Sequence, residues 1–321
     1  MKATYFGWCG VDMFFVLSGF LIGSILLKNR GKENYFKAFY IRRFFRIIPI
    51  YYLLLLCFIL LRYTPLYSPD AYIFEKDIPI GYYFLFLQNF VMGARNHFGP
   101  EALTPTWSLA VEEQFYLITP LIVYWLKPKY LVWIILFMIC VAPVCRYFST
   151  NWYQKYTLLS SRIDSPGFGF LLAWLLYNER SSAFIRKHIG TIRWVAVPFL
   201  IVSTILYAAS MAGVFNHSIL AVNFALIILI VLFLEKGLLY RVLTSKVLVV
   251  TGALSYFLYL FHEMINGVYH IYFLHEKMPV LHGLPDYAVT LGALVTLFVL
   301  ARLSYKYLEQ PQIRFSHSFA Y

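Results

Sequence analysis

Residues Trp107 to Leu117 read WSLAVEEQFYL and carry two adjacent carboxylates, Glu112 and Glu113, into an apolar run that continues to Leu126. An ionised side chain deep in hydrocarbon is disfavoured by about 2.5 kcal/mol or more, so an acid placed there marks a functional site by default. Ser108 stands one helical turn before Glu112, and on a helix the two share a face with Tyr116 and Thr119, forming a polar track. A second group is Arg42-Arg43-Phe44-Phe45-Arg46, ahead of Pro49 and the apolar run 50–61. Arg43 and Arg46 share a helix face and could grip phosphates through forked hydrogen bonds. The alternative is an anchor that snorkels to lipid phosphates. A third group is the stripe Ser255, Tyr259, His262 and Asn266, with Glu263 adjoining it. Such a stripe fits a water-lined path in which His262 serves as base or proton relay, and it equally fits a hydrogen-bonded seam between helices.

The elements that must position these groups are membrane helices. With 61% hydrophobic, 20% aromatic and only 13% charged residues over 321 positions, the chain has more apolar surface than a soluble core can absorb. The expected fold is all-α: a polytopic transmembrane helical bundle of about nine spanning helices plus one re-entrant or interfacial segment, built as a single domain. The spans are placed at 8–27, 47–64, 107–126, 130–147, 163–177, 194–212, 218–234, 247–273 and 286–308. Keeping the run 80–94 from crossing puts the loops 28–46, 127–129, 178–193 and 235–246 and the tail after 308 on one side. Those segments carry the basic residues, as cytoplasmic loops do. On this map the chain begins outside, although no amino-terminal signal peptide is visible, and a preceding helix is expected.

The net charge of +12 is explained by these loops, so no nucleic-acid partner is expected. Cys9, Cys57, Cys140 and Cys145 lack paired spacing and read as packing residues, with neither a disulfide framework nor a metal site signalled. Gly19 and Gly23, following Asp12 and Ser18, form a small-xxx-small pattern suited to close helix packing. Arg162 and Asp164 read as an ion pair at the start of another span. No P-loop, dinucleotide fingerprint, nucleophile elbow or His-Glu-x-x-His motif is present.

Five blocks, GVDMFFVLSGFLI at 10–22, YIRRFFRIIPIYYLLLL at 40–56, WSLAVEEQFYLITPLI at 107–122, SYFLYLFHEMI at 255–265 and YKYLEQP at 305–311, resemble in order the acyltransferase 3 family of integral membrane O-acyltransferases. The resemblance implies an enzyme of a bacterial cytoplasmic membrane that moves an acyl group, usually acetyl from acetyl-CoA, to a hydroxyl of a carbohydrate or glycolipid acceptor. It places the family's Arg-x-x-Arg on Arg43 and Arg46, expected to hold coenzyme A. Its Ser-x-x-x-Glu falls on Ser108 and Glu112, expected to take part in catalysis, and His262 is the histidine left in mid-membrane to act as base. Family members open with a further helix bearing a basic residue and a histidine. Relative to them this chain is expected to be truncated at its amino terminus, which raises the alternative of an inactive scaffold. A transporter or flippase is the other alternative that intramembrane acids allow.

Overall fold

The computed structural model describes residues 5–209 and 213–321, with the side chains of 5–8 excepted. In chain order the helices are α1 (Tyr5–Asn29), α2 (Tyr35–Leu61), α3 (Ile80–Phe84), α4 (Gln88–Arg95), α5 (Thr106–Trp125), α6 (Pro128–Phe148), α7 (Trp152–Thr157) and α8 (Leu159–Arg162). They continue as α9 (Asp164–Tyr177), α10 (Glu179–Ala208), α11 (Asn216–Leu232), α12 (Leu238–Leu243), α13 (Lys246–Leu274), α14 (Leu284–Ser304) and α15 (Gln310–His317). A π turn at Tyr305–Glu309 joins the last two. Among the described residues there is no strand, and seven helical segments are long and apolar enough to cross a membrane. The chain is an integral membrane protein.

The seven do not reproduce all nine expected spans. Helix α9 has 14 residues, about 21 Å of rise against a hydrocarbon core of about 30 Å. Helix α5 has 20 residues but carries Glu112 and Glu113 and falls outside the seven. Two expected basic loops are largely helical: most of 28–46 is the start of α2, and 178–193 is the first half of α10, which runs for 30 residues. Lys, Arg and Glu are good helix formers, so a charged stretch leading into an apolar run can continue the same helix. The run 80–94 is broken into α3 and α4, of 5 and 8 residues.

The chain divides into two compact units. The first comprises Met1–Lys32 with Val111–Arg241. Here α1 and α9 cross at backbone contact. A methyl group added at Gly19 would stand 2.1 Å from the Pro166 carbonyl oxygen, and one at Gly169 would stand 1.9 Å from that of Val16, so only glycine permits this approach. Val16, Leu172, Ile185, Ala221, Ile228 and Leu229 pack into the core beside the crossing. The expected Arg162–Asp164 pair does not form. Arg162 donates to Asp12 at 2.8 Å, while Asp164 accepts from Arg146 at 2.8 and 3.2 Å, and all four are buried. Residues two apart on a helical path do not face each other, and here α8 ends at Arg162 where α9 begins at Asp164.

The second unit comprises Glu33–Ala110 with Val242–Tyr321. Its long helices α2, α13 and α14 bury Leu54 and Phe58, Phe257 and Leu260, and Leu297. The broken segment is tied in by polar contacts: Tyr51 Oη donates to the Tyr83 carbonyl at 2.7 Å, and Gln88 Nε2 donates to the Thr106 carbonyl at 2.9 Å. Gln88 is fully buried, so these bonds satisfy groups that water cannot reach.

Candidate active site

Helix α5 is shared between the units, which divide after Ala110. Ser108, Glu112, Tyr116 and Thr119 are all buried, as is every residue from Thr106 to Val111 around the helix. Thr119 turns back to its own helix, its hydroxyl donating to the Phe115 carbonyl at 2.7 Å. The other three reach across to other elements. Within the first unit, Glu112 Oε1 accepts hydrogen bonds from Ser18 Oγ of α1 and from Tyr116 Oη, and the two hydroxyl oxygens lie 2.5 Å apart.

Ser108 has its partners in the second unit. Its hydroxyl is 2.7 Å from Tyr259 Oη of α13, and both hydroxyls reach the Pro105 carbonyl, at 3.0 and 3.1 Å. The next turn of α13 carries His262. Its Nδ1 lies 2.7 Å from the Tyr259 carbonyl, an acceptor only, so Nδ1 bears a proton. Glu263 Oε1 is 3.5 Å from the His262 Nε2, and its other oxygen accepts from Tyr72 Oη at 2.8 Å. The His262 side chain is 43% exposed. The stripe expected on this helix is therefore only partly realised. Ser255 is exposed and bonds its own helix at Gly252, while Asn266 Oδ1 is buried without a hydrogen-bond partner.

Sequence reading missed Tyr72 and Glu101. Both lie outside the long helices and more than 150 positions from Glu263, with no periodicity to link them. Burial, and then the negative charge of Glu263, push the Glu101 carboxyl above the ordinary carboxylate range, while Thr104 Oγ1 donates to it at 3.1 Å. Burial followed by the same charge raises the Tyr72 phenol.

The arginines occupy the first half of α2. Arg42 is held by the carboxyl-terminal tail, donating to the Phe319 carbonyl at 3.0 Å with its guanidinium 4.9 Å from the Tyr321 ring centre. Arg43 is half-buried, 5.9 Å above Phe39, and Arg46 is exposed. Beside Arg46, the Ile47 carbonyl accepts from Tyr256 Oη of α13 at 2.9 Å. Tyr256, Tyr259 and Glu263 thus follow one another along α13. Their contacts run from the arginine turn, through Ser108, to Tyr72, over seven residues or about 10 Å of rise. Among the described residues no group of three or more His, Cys, Asp or Glu side chains is gathered as a metal ion would need.

The acyltransferase domain of the acyltransferase 3 family matches residues 2–303. O-acetyltransferase OatA of Staphylococcus aureus (strain NCTC 8325 / PS 47) is 27% identical over 325 residues, covering 95% of this chain and 52% of the relative. Putative O-acetyltransferase SACOL0978 of Staphylococcus aureus (strain COL) is 27% identical over 333 residues with the same coverage of each. The chain therefore spans about half the length of the curated relatives it matches. No solved structure matches it.

Proposed function

This chain belongs to the acyltransferase 3 family, and from that premise we propose that it moves an acyl group from a coenzyme A thioester to a hydroxyl of a carbohydrate or glycolipid in a bacterial cytoplasmic membrane. Acetyl is the group named by its relatives. The observation that carries the reading is the polar thread along α13, which links the arginine turn of α2 to Ser108 and His262. Arg43 and Arg46 would hold the phosphates of the donor by charge-assisted hydrogen bonds. His262 Nε2 would take the proton of the acceptor hydroxyl as its oxygen attacks the thioester carbonyl carbon, while Glu263 places a negative charge beside the imidazolium that forms. Collapse of the tetrahedral intermediate breaks the carbon–sulfur bond, and the coenzyme leaves as thiolate and is protonated. Ser108, beside Tyr259 in the second unit, would orient a reacting group there, and Glu112, in the first unit, would serve as the glutamate that the family's Ser-x-x-x-Glu motif supplies to the reaction.

The test uses the full chain in detergent with acetyl-CoA as donor and a chito-oligosaccharide as acceptor. Release of free coenzyme A and the acetyl mass gain of the sugar are followed together. Substituting Glu112→Gln or His262→Ala is expected to slow turnover about 100-fold or more, the usual scale of acid–base assistance. Acceptor-dependent turnover at full rate in both variants would refute these assignments.

A further inference from the structure

Resting on the reading of Glu112 as a group the reaction uses, we propose that Ser18 and Tyr116 are positioning residues: their hydroxyls hold one oxygen of the Glu112 carboxylate and thereby set its orientation and its readiness to lose or keep a proton.

The sequence singles out Ser18 only as a neighbour of the small-residue pattern on α1, and nothing in the proposed chemistry uses it. The structure gives it a distinct place. Ser18 lies on α1, and Glu112 and Tyr116 lie on successive turns of α5; all three are in the first unit and all are buried, at 7%, 5% and 3% exposure. Both hydroxyls donate to the same atom, Glu112 Oε1. A carboxylate removed from water costs several kcal/mol unless donors replace its hydration, so buried donors on one oxygen stabilise the ionised form and fix the rotamer. The location of Ser18 is fixed by backbone rather than by side-chain packing. Its neighbour Gly19 packs so closely on the Pro166 carbonyl that a methyl group added there would stand 2.1 Å from its oxygen. The tight crossing of α1 and α9 therefore sets the height at which the Ser18 hydroxyl meets Glu112. Tyr116 adds a donor from Glu112's own helix at the i+4 position, where side chains stack on one face.

A role limited to packing and a role in positioning predict different measurements. Ser18→Ala and Tyr116→Phe each delete one hydroxyl while keeping the remainder of the side chain. Both variants are expected to fold, to keep the KM for acetyl-CoA within two-fold, and to lose about ten-fold in kcat at neutral pH. The acid limb of the pH–rate profile should move to higher pH in each, because a carboxylate that loses a donor holds its proton more tightly. An unmoved limb with full kcat in both variants, when Glu112→Gln is slow, overturns the proposal while leaving the reading of Glu112 intact. Full turnover by Glu112→Gln overturns both. Infrared difference titration of the purified protein decides independently of turnover: the carboxyl band absent from Glu112→Gln should titrate at higher pH in Ser18→Ala and Tyr116→Phe. A band with an unchanged midpoint in both variants refutes the proposal.

Discussion

At the scale of single residues, the two arginines expected to hold the donor differ in their surroundings. Arg43 is half-buried over Phe39 and Arg46 is exposed. An exposed guanidinium free to close on a phosphate contributes mainly charge-assisted hydrogen bonds, each about 1.5–3 kcal/mol. Arg46→Ala is expected to weaken acetyl-CoA binding about ten-fold or more with little change in stability, measured by equilibrium titration alongside a thermal midpoint. Unchanged affinity in both Arg43→Ala and Arg46→Ala would assign the turn to lipid anchoring. Glu101 supports a second prediction, on pH. Its carboxyl is raised above its unfolded value by burial and by Glu263, so the folded state binds the proton more tightly. Stability from this group is full below the unfolded carboxylate range and falls as pH rises through the window between the unfolded and folded values. Glu101→Gln, which can still accept from Thr104, should therefore raise the thermal midpoint relative to the parent at pH 7 and leave it nearly equal at pH 4. A midpoint lowered at pH 7 would contradict this.

At the scale of elements, the crossing of α1 and α9 makes a graded prediction from glycines alone. A methyl at Gly19 or Gly169 meets backbone carbonyls at 2.1 and 1.9 Å, and one at Gly23 meets the Phe170 ring at 2.5 Å, whereas nothing lies within 4 Å of one at Gly10. Backbone cannot yield without moving a helix, while a ring can turn. Gly19→Ala and Gly169→Ala should destabilise by about 1–3 kcal/mol or more, Gly23→Ala by less, and Gly10→Ala negligibly. Thermal melts in one detergent would check the order, and equal losses at Gly10 and Gly19 would contradict the crossing. The broken segment offers a topological test within the second unit. Because α2 is long enough to span and α3 and α4 are not, Lys37 and Asn96 should face opposite sides of the membrane. Single cysteines at these positions, in a cysteine-free background, should label from opposite sides, and labelling from one side would require 80–94 to cross.

At the scale of the whole molecule, each unit carries its own polar interior. In the first, Arg162–Asp12 and Arg146–Asp164 tie α1, α6 and the α8–α9 junction, and Ser218 of α11 both accepts from Arg146 and donates to Asp164. Removing one member of a buried pair leaves an uncompensated charge and costs about 3–5 kcal/mol, whereas replacing both by apolar residues costs far less. Asp164→Leu should therefore reduce the amount of folded protein sharply, and Arg146→Met with Asp164→Leu should restore much of it. Equal losses in the single and double variants, measured by monodisperse yield and thermal midpoint, would show that the pair does not act as a unit. In the second unit the polar contacts include hydroxyls, with Tyr259 beside Ser108 and Tyr72 donating to Glu263, and histidine–carboxylate pairs, His262 with Glu263 and His270 with Glu276.

Much of this was legible in the sequence because it depends on local spacing. Apolar runs long enough to span, the glycine pattern on α1 and the single face of Ser108, Glu112 and Tyr116 follow from the 3.6-residue period and from the thickness of hydrocarbon. Where charged residues led into an apolar run, the period could not say whether the charges lay in a loop or in the same helix, and α2 and α10 proved to include them. Partner choice was the other limit. Arg162 stands two positions from Asp164 yet pairs with Asp12, 150 residues away, and Ser18 meets Glu112 across 94. Tyr72 reaches Glu263 across 191 residues. Such contacts arise when helices pack so that most buried polar groups find partners, a condition on the assembled interior that sequence spacing does not contain.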